Sequence, residues 1–237
     1  MSFISGKSYF SLLSFKSKRL VKCISSARPV LPLEASLSKL LPPKTPRPYQ
    51  EECIVSCISH LKEGKRRLAI SLPTGSGKTV IFTNLIQRFY AENILPKRRS
   101  KTLILAHRRE LVQQSAIHCA NTYPDKTIEI EMGNAEATGM ADITIASVQS
   151  LVSSDFRRLQ KYDKEDYGLL LIDEAHHAAA DSYINILKYF DATDENSKTA
   201  VIGVTATLKR TDYKPLEVAF DHVAYHQSIG DLYQDKW

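Results

Sequence analysis

A short loop in the first half of the chain combines residue types that suit phosphate binding. It contains Pro73, Thr74, Gly75, Ser76, Gly77, Lys78 and Thr79, between the apolar run Leu68–Leu72 and helical spacing over Lys78–Tyr90. Glycines let backbone N–H groups close around phosphate oxygens, and the following helix offers its positive N-terminal end. The lysine can reach the β and γ phosphates, and the threonine hydroxyl can ligate Mg²⁺. The spacing predicts a P-loop, although Leu72 stands where the strict pattern has glycine.

Two adjacent acids follow a second apolar run, since Leu169–Ile172 leads directly into Asp173 and Glu174. An acid at the carboxyl end of a buried strand lies beside the P-loop metal, so Asp173 is predicted to be the Mg²⁺ partner. Glu174 is then placed to orient and deprotonate an attacking water. A solvated helix cap is the alternative, which the P-loop disfavours. The histidines at 176 and 177 have no HExxH or Cys/His spacing around them, which disfavours zinc.

The elements that must position these residues alternate along the chain. Pro48 suits a first helical turn, and helical spacing follows over Tyr49–Lys62 and again over Arg108–Ala120. Runs that are apolar on both faces and separated by helices are what a parallel sheet covered on both sides requires. The predicted fold class is three-layer α/β with a mainly parallel central sheet. Besides the two runs above, the predicted strands are Thr102–Ala106, Thr127–Ile130, Ile143–Ala146 and Ala200–Val204.

Length and composition describe a globular chain. It has 237 residues, 43% hydrophobic and 24% charged, a composition that can bury a core. No uncharged apolar stretch approaches the roughly 18 residues of a membrane-spanning helix, so we expect no transmembrane segment. The four cysteines, at positions 23, 53, 57 and 119, form no CxxC pair, which favours a reducing compartment.

The excess positive charge lies at the N-terminus. The net charge is +6, and residues 1–33 contain six basic residues and no acid, while the remainder carries 26 charges of each sign. A Ser-rich, acid-free, cationic leader is typical of an organelle transit peptide, and a disordered basic tail is the alternative. Closely spaced prolines follow and favour an extended linker. We therefore expect a mitochondrial matrix transit peptide at 1–33, a Pro-rich linker at 34–46 and a folded domain at 47–237.

Six blocks of residues occur in a fixed order along the chain. They are Arg47-Pro48-Tyr49-Gln50, the P-loop, Ala106 to Leu111, Thr144 to Leu151, Asp173 to His176, and Thr205-Ala206-Thr207. This order resembles the first RecA-like domain of superfamily 2 helicases. The blocks look less like DEAD-box RNA helicases than like the DEAH-containing DNA translocase group, which includes type I and III restriction motor subunits. With the transit-like leader, the chain resembles the fungal mitochondrial branch-migration helicases within this group.

The resemblance implies an ATP-dependent helicase that uses ATP and Mg²⁺, with Lys78, Asp173 and Glu174 as catalytic residues. Thr79 and Asp173 would hold the metal. Arg47 and Gln50 match the adenine-contacting motif, because an amide can read the adenine N6/N7 edge and a guanidinium can stack on the ring. The alternative for this pair is a capped helix start.

The resemblance also implies contacts with a nucleic-acid backbone and favours DNA over RNA, although backbone contacts do not distinguish the two sugars. The basic side chains of the block Ala106 to Leu111 suit phosphates, although a solvated basic helix start is the alternative for this block. Hydroxyls and amides in the block Thr144 to Leu151 would follow phosphates without reading sequence. The block Thr205-Ala206-Thr207 would couple the nucleotide state to the nucleic acid, with an ordinary strand end as the alternative. The backbone contacts would be His107, Arg108, Arg109, Ser147, Gln149 and Ser150, and the coupling residues would be His176, Thr205 and Thr207.

Members of this superfamily bind ATP between two RecA-like domains, and the second supplies an arginine finger. Since the residues after Thr207 are too few for a second domain, we expect this chain to be the ATP-binding half and to need the other half as a partner. The leading hypothesis is a DNA helicase or translocase that acts on branched DNA. A non-catalytic nucleotide-dependent binding module and an RNA helicase core domain are the alternatives. Tyr183, Tyr189 and Phe190 are expected to be packing aromatics.

We expect residues 1–33 fused to a fluorescent protein to reach mitochondria, because a negative membrane potential pulls a cationic segment inward. Fluorescence microscopy is the measurement, and the matched control replaces the six basic residues with glutamine. Cytosolic fluorescence of the unaltered fusion in cells with energised mitochondria would leave only the disordered tail.

Overall fold

The computed structural model describes residues 45–153, 156–206, 216–228 and 230–231. The leader, most of the linker and Thr207 therefore lie outside the described residues. In chain order the elements are α1 (Pro48–Lys62), β1 (Arg67–Ser71), α2 (Lys78–Ala91), β2 (Lys101–Ala106), α3 (Arg109–Thr122), β3 (Ile128–Glu131), β4 (Ile143–Ser147), α4 (Val148–Val152), β5 (Tyr167–Asp173), α5 (Asp181–Tyr189), β6 (Ala200–Thr205) and β7 (His222–His226). Two 3₁₀ turns, Leu159–Lys161 and Ala175–His177, flank β5.

The seven strands form one sheet in the order β3-β4-β2-β5-β6-β1-β7, and each neighbouring pair is parallel. Successive residues of the central strands face opposite sides of the sheet, and both sides are buried. Leu68 and Ile70 of β1 belong to a core beneath α1, α2 and α3. Ala69, between them, belongs to a second core that includes α5. The predicted three-layer α/β class is therefore confirmed, and no helix in the described ranges is long and apolar enough to cross a bilayer.

Parallel pairing brings the ends of three strands to one edge of the sheet. In the register of β1 with β6, Ser71 lies opposite Thr205. On the other side of β6, Asp173 of β5 lies opposite Val204. Because parallel strands end at the same edge, the loop that follows β1 and the acids that end β5 are held on either side of β6.

The edge strand β3 alternates isoleucine and glutamate, and the side chains of both glutamates form hydrogen bonds with residues that come after β3 in the sequence. Glu131 is fully buried and accepts from Arg158 Nη1 and Lys161 Nζ, each at 2.8 Å. Glu129 accepts from the backbone N–H of Thr138 at 2.8 Å. Arg158 and Lys161 also pair with Glu136, so two cations face two carboxylates and the buried charge of Glu131 is compensated. These bonds fix the segment after β3 against the 3₁₀ turn at Leu159–Lys161.

Gly203 of β6 has no room for a side chain. A Cβ at this position would contact the ring of Phe220 and would lie 2.7 Å from the Cβ of Ala175, the residue after the acid pair. We expect Gly203→Ala to lower the free energy of unfolding by about 1–3 kcal/mol through overpacking, measured by chemical denaturation. Gly230→Ala is the matched control, since its added Cβ meets only Ser228 Oγ at 3.6 Å. Equal stability of the two variants would contradict the prediction.

Candidate functional site

The loop between β1 and α2 depends on two glycines. Gly75 and Gly77 have φ values of 82° and 75°, in the left-handed region that favours glycine. A Cβ at Gly77 would also lie 2.6 Å from Nε2 of Gln50. Lys78 begins α2 directly after this turn, so the unpaired N–H groups of the first helical turn lie next to the loop. The sequence folds here into the strand, loop and helix that a P-loop needs.

Helix α1 holds the P-loop through two neighbouring side chains. Gln50 Nε2 and the Tyr49 hydroxyl each donate to the backbone oxygen of Ser76 at 2.7 Å. The other end of the same amide, Gln50 Oε1, accepts from the backbone N–H of Arg47 at 2.8 Å. Gln50 is buried and forms the capped helix start that was the alternative interpretation, while the Arg47 side chain is exposed. The role of Tyr49 was missed from the sequence, and its position beside Gln50 was the only signal.

The ammonium group of Lys78 is buried beside the loop. Its Nζ has no hydrogen-bond partner among the residues that the structure describes, and Glu174 Oε1 lies 3.8 Å away. The hydroxyl of Ser76 is likewise buried without a partner in the described ranges. A buried cation without hydrogen bonds is costly, and an anion with several oxygens offsets that cost. The cluster therefore fits the phosphates of a nucleotide, and Thr79 stands half-buried in the first turn of α2.

The two acids at the end of β5 lie in different environments. Asp173 Oδ1 accepts from the backbone N–H of Glu174 at 3.0 Å. Burial raises the pKa of Asp173, the charge of Glu174 raises it further, and Lys78 opposes both effects. Glu174 itself has a left-handed backbone, with φ 54° and ψ 55°, which is strained for a residue with a side chain. Strain of this kind is commonly found at functional sites.

His176 lies between the acid pair and the end of β6. Its Nδ1 is 3.4 Å from Glu174 Oε2 and 3.2 Å from Thr205 Oγ1. The rings of His176 and His177 are 4.1 Å apart, and the ring of His107 stacks on His177 at 5.0 Å. Burial, together with His176 and His107, lowers the pKa of His177. The structure thus brings together two of the three predicted coupling residues, and Thr207 lies outside its range.

The blocks predicted to contact nucleic acid end adjacent strands, since Ala106 of β2 lies opposite Ser147 of β4. The side chains of Arg108, Arg109 and Gln149 are exposed on this edge. Ser147 is buried. The second serine of that block is engaged within the protein: the Ser150 hydroxyl accepts from Gly133 N at 2.9 Å. The side chains of Arg108, Arg109 and Gln149 are therefore accessible to a ligand. Ser147 and Ser150 instead contact other residues of the protein.

The seven-stranded parallel sheet, with the loop after β1 and the acid pair on one edge, has the RecA-like fold. Residues 43–210 match the family described as "Type III restriction enzyme, res subunit". The chain belongs to this family, which is part of the helicase superfamily that the ordered blocks resemble.

One curated relative and two solved structures extend this comparison. The "Putative mitochondrial ATP-dependent helicase irc3" of Schizosaccharomyces pombe is 48% identical over 191 residues, which cover 81% of this chain and 30% of the relative. The Hef helicase domain of Pyrococcus furiosus has a TM-score of 0.60 at 24% identity, over 80% of this chain and 40% of that chain. The type ISP restriction-modification enzyme LlaGI, solved with a DNA substrate mimic, has a TM-score of 0.59 at 16% identity, over 81% and 21%. Both structures share the fold.

Lys78→Ala is expected to weaken Mg·ATP binding about 100-fold or more, because charged hydrogen bonds worth roughly 1.5–3 kcal/mol each are lost. Calorimetric titration is the measurement. The circular dichroism spectrum without nucleotide should be unchanged, since the ammonium donates no hydrogen bond to the described residues. Lys188→Ala, which removes an exposed lysine of α5, is the control. An unaltered affinity of Lys78→Ala for Mg·ATP would contradict the assignment of this loop as a P-loop.

Proposed function

We propose that the chain is the ATP-binding half of an ATP-dependent DNA helicase or translocase that acts on mitochondrial DNA. The observation that carries this proposal is the buried ammonium of Lys78 at the end of the P-loop, which has no hydrogen-bond partner among the described residues and lies 3.8 Å from Glu174 Oε1. Family membership supports ATP-dependent motor activity. The name of the relative irc3 supports a mitochondrial location for this chain. The proposed matrix location rests on the transit peptide predicted at 1–33. Residues 34–46 would then be a linker to an ATP-binding domain at 47–237.

Each residue of the site has a proposed task in ATP hydrolysis. The N–H groups of Gly75 to Thr79, together with the Lys78 ammonium, bind the β and γ phosphates. Thr79 and Asp173 would hold Mg²⁺, which supplies charge neutralisation on the phosphate oxygens. Glu174, whose backbone is left-handed, orients a water and accepts its proton. The guanidinium of Arg47 remains a proposed stacking partner for adenine, with Gln50 beside it.

The contacts of His176 suggest how hydrolysis is coupled to nucleic acid. One nitrogen, Nδ1, lies within reach of both the water-orienting Glu174 and the Thr205 hydroxyl. A displacement at the end of β6 would therefore change the position of the carboxylate. The exposed side chains of Arg108, Arg109 and Gln149 are proposed to contact the DNA backbone on the same edge of the sheet.

A second RecA-like domain is part of the proposal. The chain spans only 30% of irc3, which leaves ample length in that relative for another domain. The transition state of phosphoryl transfer concentrates negative charge, and an arginine finger that stabilises it is worth about 10³ to 10⁵ in rate. The neighbour LlaGI was solved with a DNA substrate mimic, which supports DNA as the nucleic acid.

We expect the 237-residue protein to bind Mg·ATP and to release phosphate only near background, with or without single-stranded or branched DNA, because the arginine finger is proposed to come from a second RecA-like domain. Steady-state phosphate release is the measurement. Glu174→Gln should keep nucleotide affinity and lose the residual turnover.

Two outcomes would contradict parts of this proposal. Robust DNA-stimulated turnover that disappears in Glu174→Gln would show that one domain suffices. Absence of any Mg·ATP binding would contradict the proposed function as a whole.

A further inference from the structure

The backbone oxygen of Ser76, within the P-loop, accepts two hydrogen bonds from helix α1. The Tyr49 hydroxyl and Gln50 Nε2 each donate to this oxygen at 2.7 Å. Both side chains are only 3% exposed, so the two bonds are shielded from water. A carbonyl oxygen has two lone pairs, which these donors can occupy together. Since one partner satisfies a buried carbonyl, the second donor exceeds what the Ser76 oxygen requires.

The amide of Gln50 has one orientation that fits its neighbours. Its nitrogen must face the Ser76 oxygen, which can only accept a hydrogen bond. Its oxygen must face the backbone N–H of Arg47, which can only donate and lies 2.8 Å away. The nitrogen also lies 3.4 Å from the hydroxyl oxygen of Tyr49. Both ends of the amide are therefore engaged within the protein.

The adenine contact proposed for Gln50 requires the amide to leave this position. Adenine accepts at N7 and donates at N6, so an amide that reads this edge needs both its nitrogen and its oxygen. The movement would release two backbone groups. The N–H of Arg47 belongs to an exposed residue, where water can replace the lost bond. The buried oxygen of Ser76 would keep the hydroxyl of Tyr49 as its donor.

Gln50 also lies directly against the part of the loop that precedes the lysine. A Cβ at Gly77 would be 2.6 Å from Gln50 Nε2, so glycine at this position leaves room for the amide. Lys78 follows at once, and its ammonium has no hydrogen-bond partner in the described ranges. A nucleotide whose phosphates bind Lys78 would therefore lie close to the amide.

We propose that Tyr49 is a positioning residue that holds the P-loop through Ser76 and thereby releases Gln50 to read adenine when Mg·ATP is bound. This inference rests on the proposed function, because it needs a nucleotide whose phosphates lie on the P-loop. Without nucleotide both side chains hold the loop, and with nucleotide Tyr49 holds it alone. Either donor is enough for the loop, whereas selection of adenine over guanine needs both side chains.

Tyr49→Phe removes the hydroxyl and leaves the ring. We expect its affinity for Mg·ATP to fall about tenfold, toward its affinity for Mg·GTP, because release of Gln50 would now leave the buried Ser76 oxygen unpaired. Its affinity for tripolyphosphate with Mg²⁺ should not change, since this ligand has no base and Gln50 still holds the loop. The measurements are calorimetric titrations of the 237-residue protein with the three ligands.

Two further variants separate the loop from the base. Gln50→Ala should lose the preference for ATP over GTP and keep its affinity for tripolyphosphate, because Tyr49 still holds Ser76. The double variant Tyr49→Phe/Gln50→Ala has neither donor, so affinity for all three ligands should fall together. Circular dichroism checks that each variant is folded at the temperature of the titrations.

Tyr225→Phe is the matched control, because the Tyr225 hydroxyl lies 3.4 Å from Glu52 Oε2 of the same helix α1. It should bind the three ligands like the unaltered protein. An unaltered preference for ATP in Tyr49→Phe, or equal affinities of the unaltered protein for Mg·ATP and Mg·GTP, would overturn this inference alone. A loss of tripolyphosphate affinity in Tyr49→Phe as large as the loss of ATP affinity would also overturn it. Absence of Mg·ATP binding by the unaltered protein would overturn the proposed function with it.

Discussion

The parallel pairing of β6 with β1 on one side and β5 on the other is the constraint on which the rest of the site depends. This pairing places Ser71, Thr205 and Asp173 at one edge of the sheet, so the P-loop and the acids lie close together although they are far apart in sequence. Gly203 in the middle of β6 lets Phe220 and Ala175 approach the sheet closely. Strand β6 therefore sets the distance between the P-loop and the acid pair, and it also sets how closely Phe220 and Ala175 pack against the sheet.

The site holds its charges at a cost in stability. Lys78 is a buried ammonium without hydrogen bonds in the described ranges, burial raises the pKa of Asp173, and Glu174 adopts a left-handed backbone. Each of these features is unfavourable by itself and would become useful beside the proposed nucleotide and its metal. Proteins commonly accept such losses where binding or catalysis requires them. The two buried cores beneath and above the sheet supply the stability that offsets them.

Sequence patterns predicted the fold class, most strand positions and the residues that meet at the edge of the sheet. Apolar runs of strand length and the glycine spacing of the P-loop are local signals, which is why these inferences succeeded. Contacts between distant residues are not local. The hydrogen bond from Gln50 to Ser76 and the bond of Ser150 to Gly133 depend on three-dimensional packing.

The glutamates of β3 have a consequence for association between copies of the chain. An edge strand presents unpaired backbone groups, and a strand from another molecule can add to it and begin aggregation. Glu131 places an inward-facing charge on this edge, bonded to Arg158 and Lys161, and Glu129 binds Thr138 of the segment that follows. An incoming strand would bring its own side chains close to this buried ion cluster. The arrangement that fixes the segment after β3 thereby also guards the open side of the sheet against intermolecular β-sheet growth.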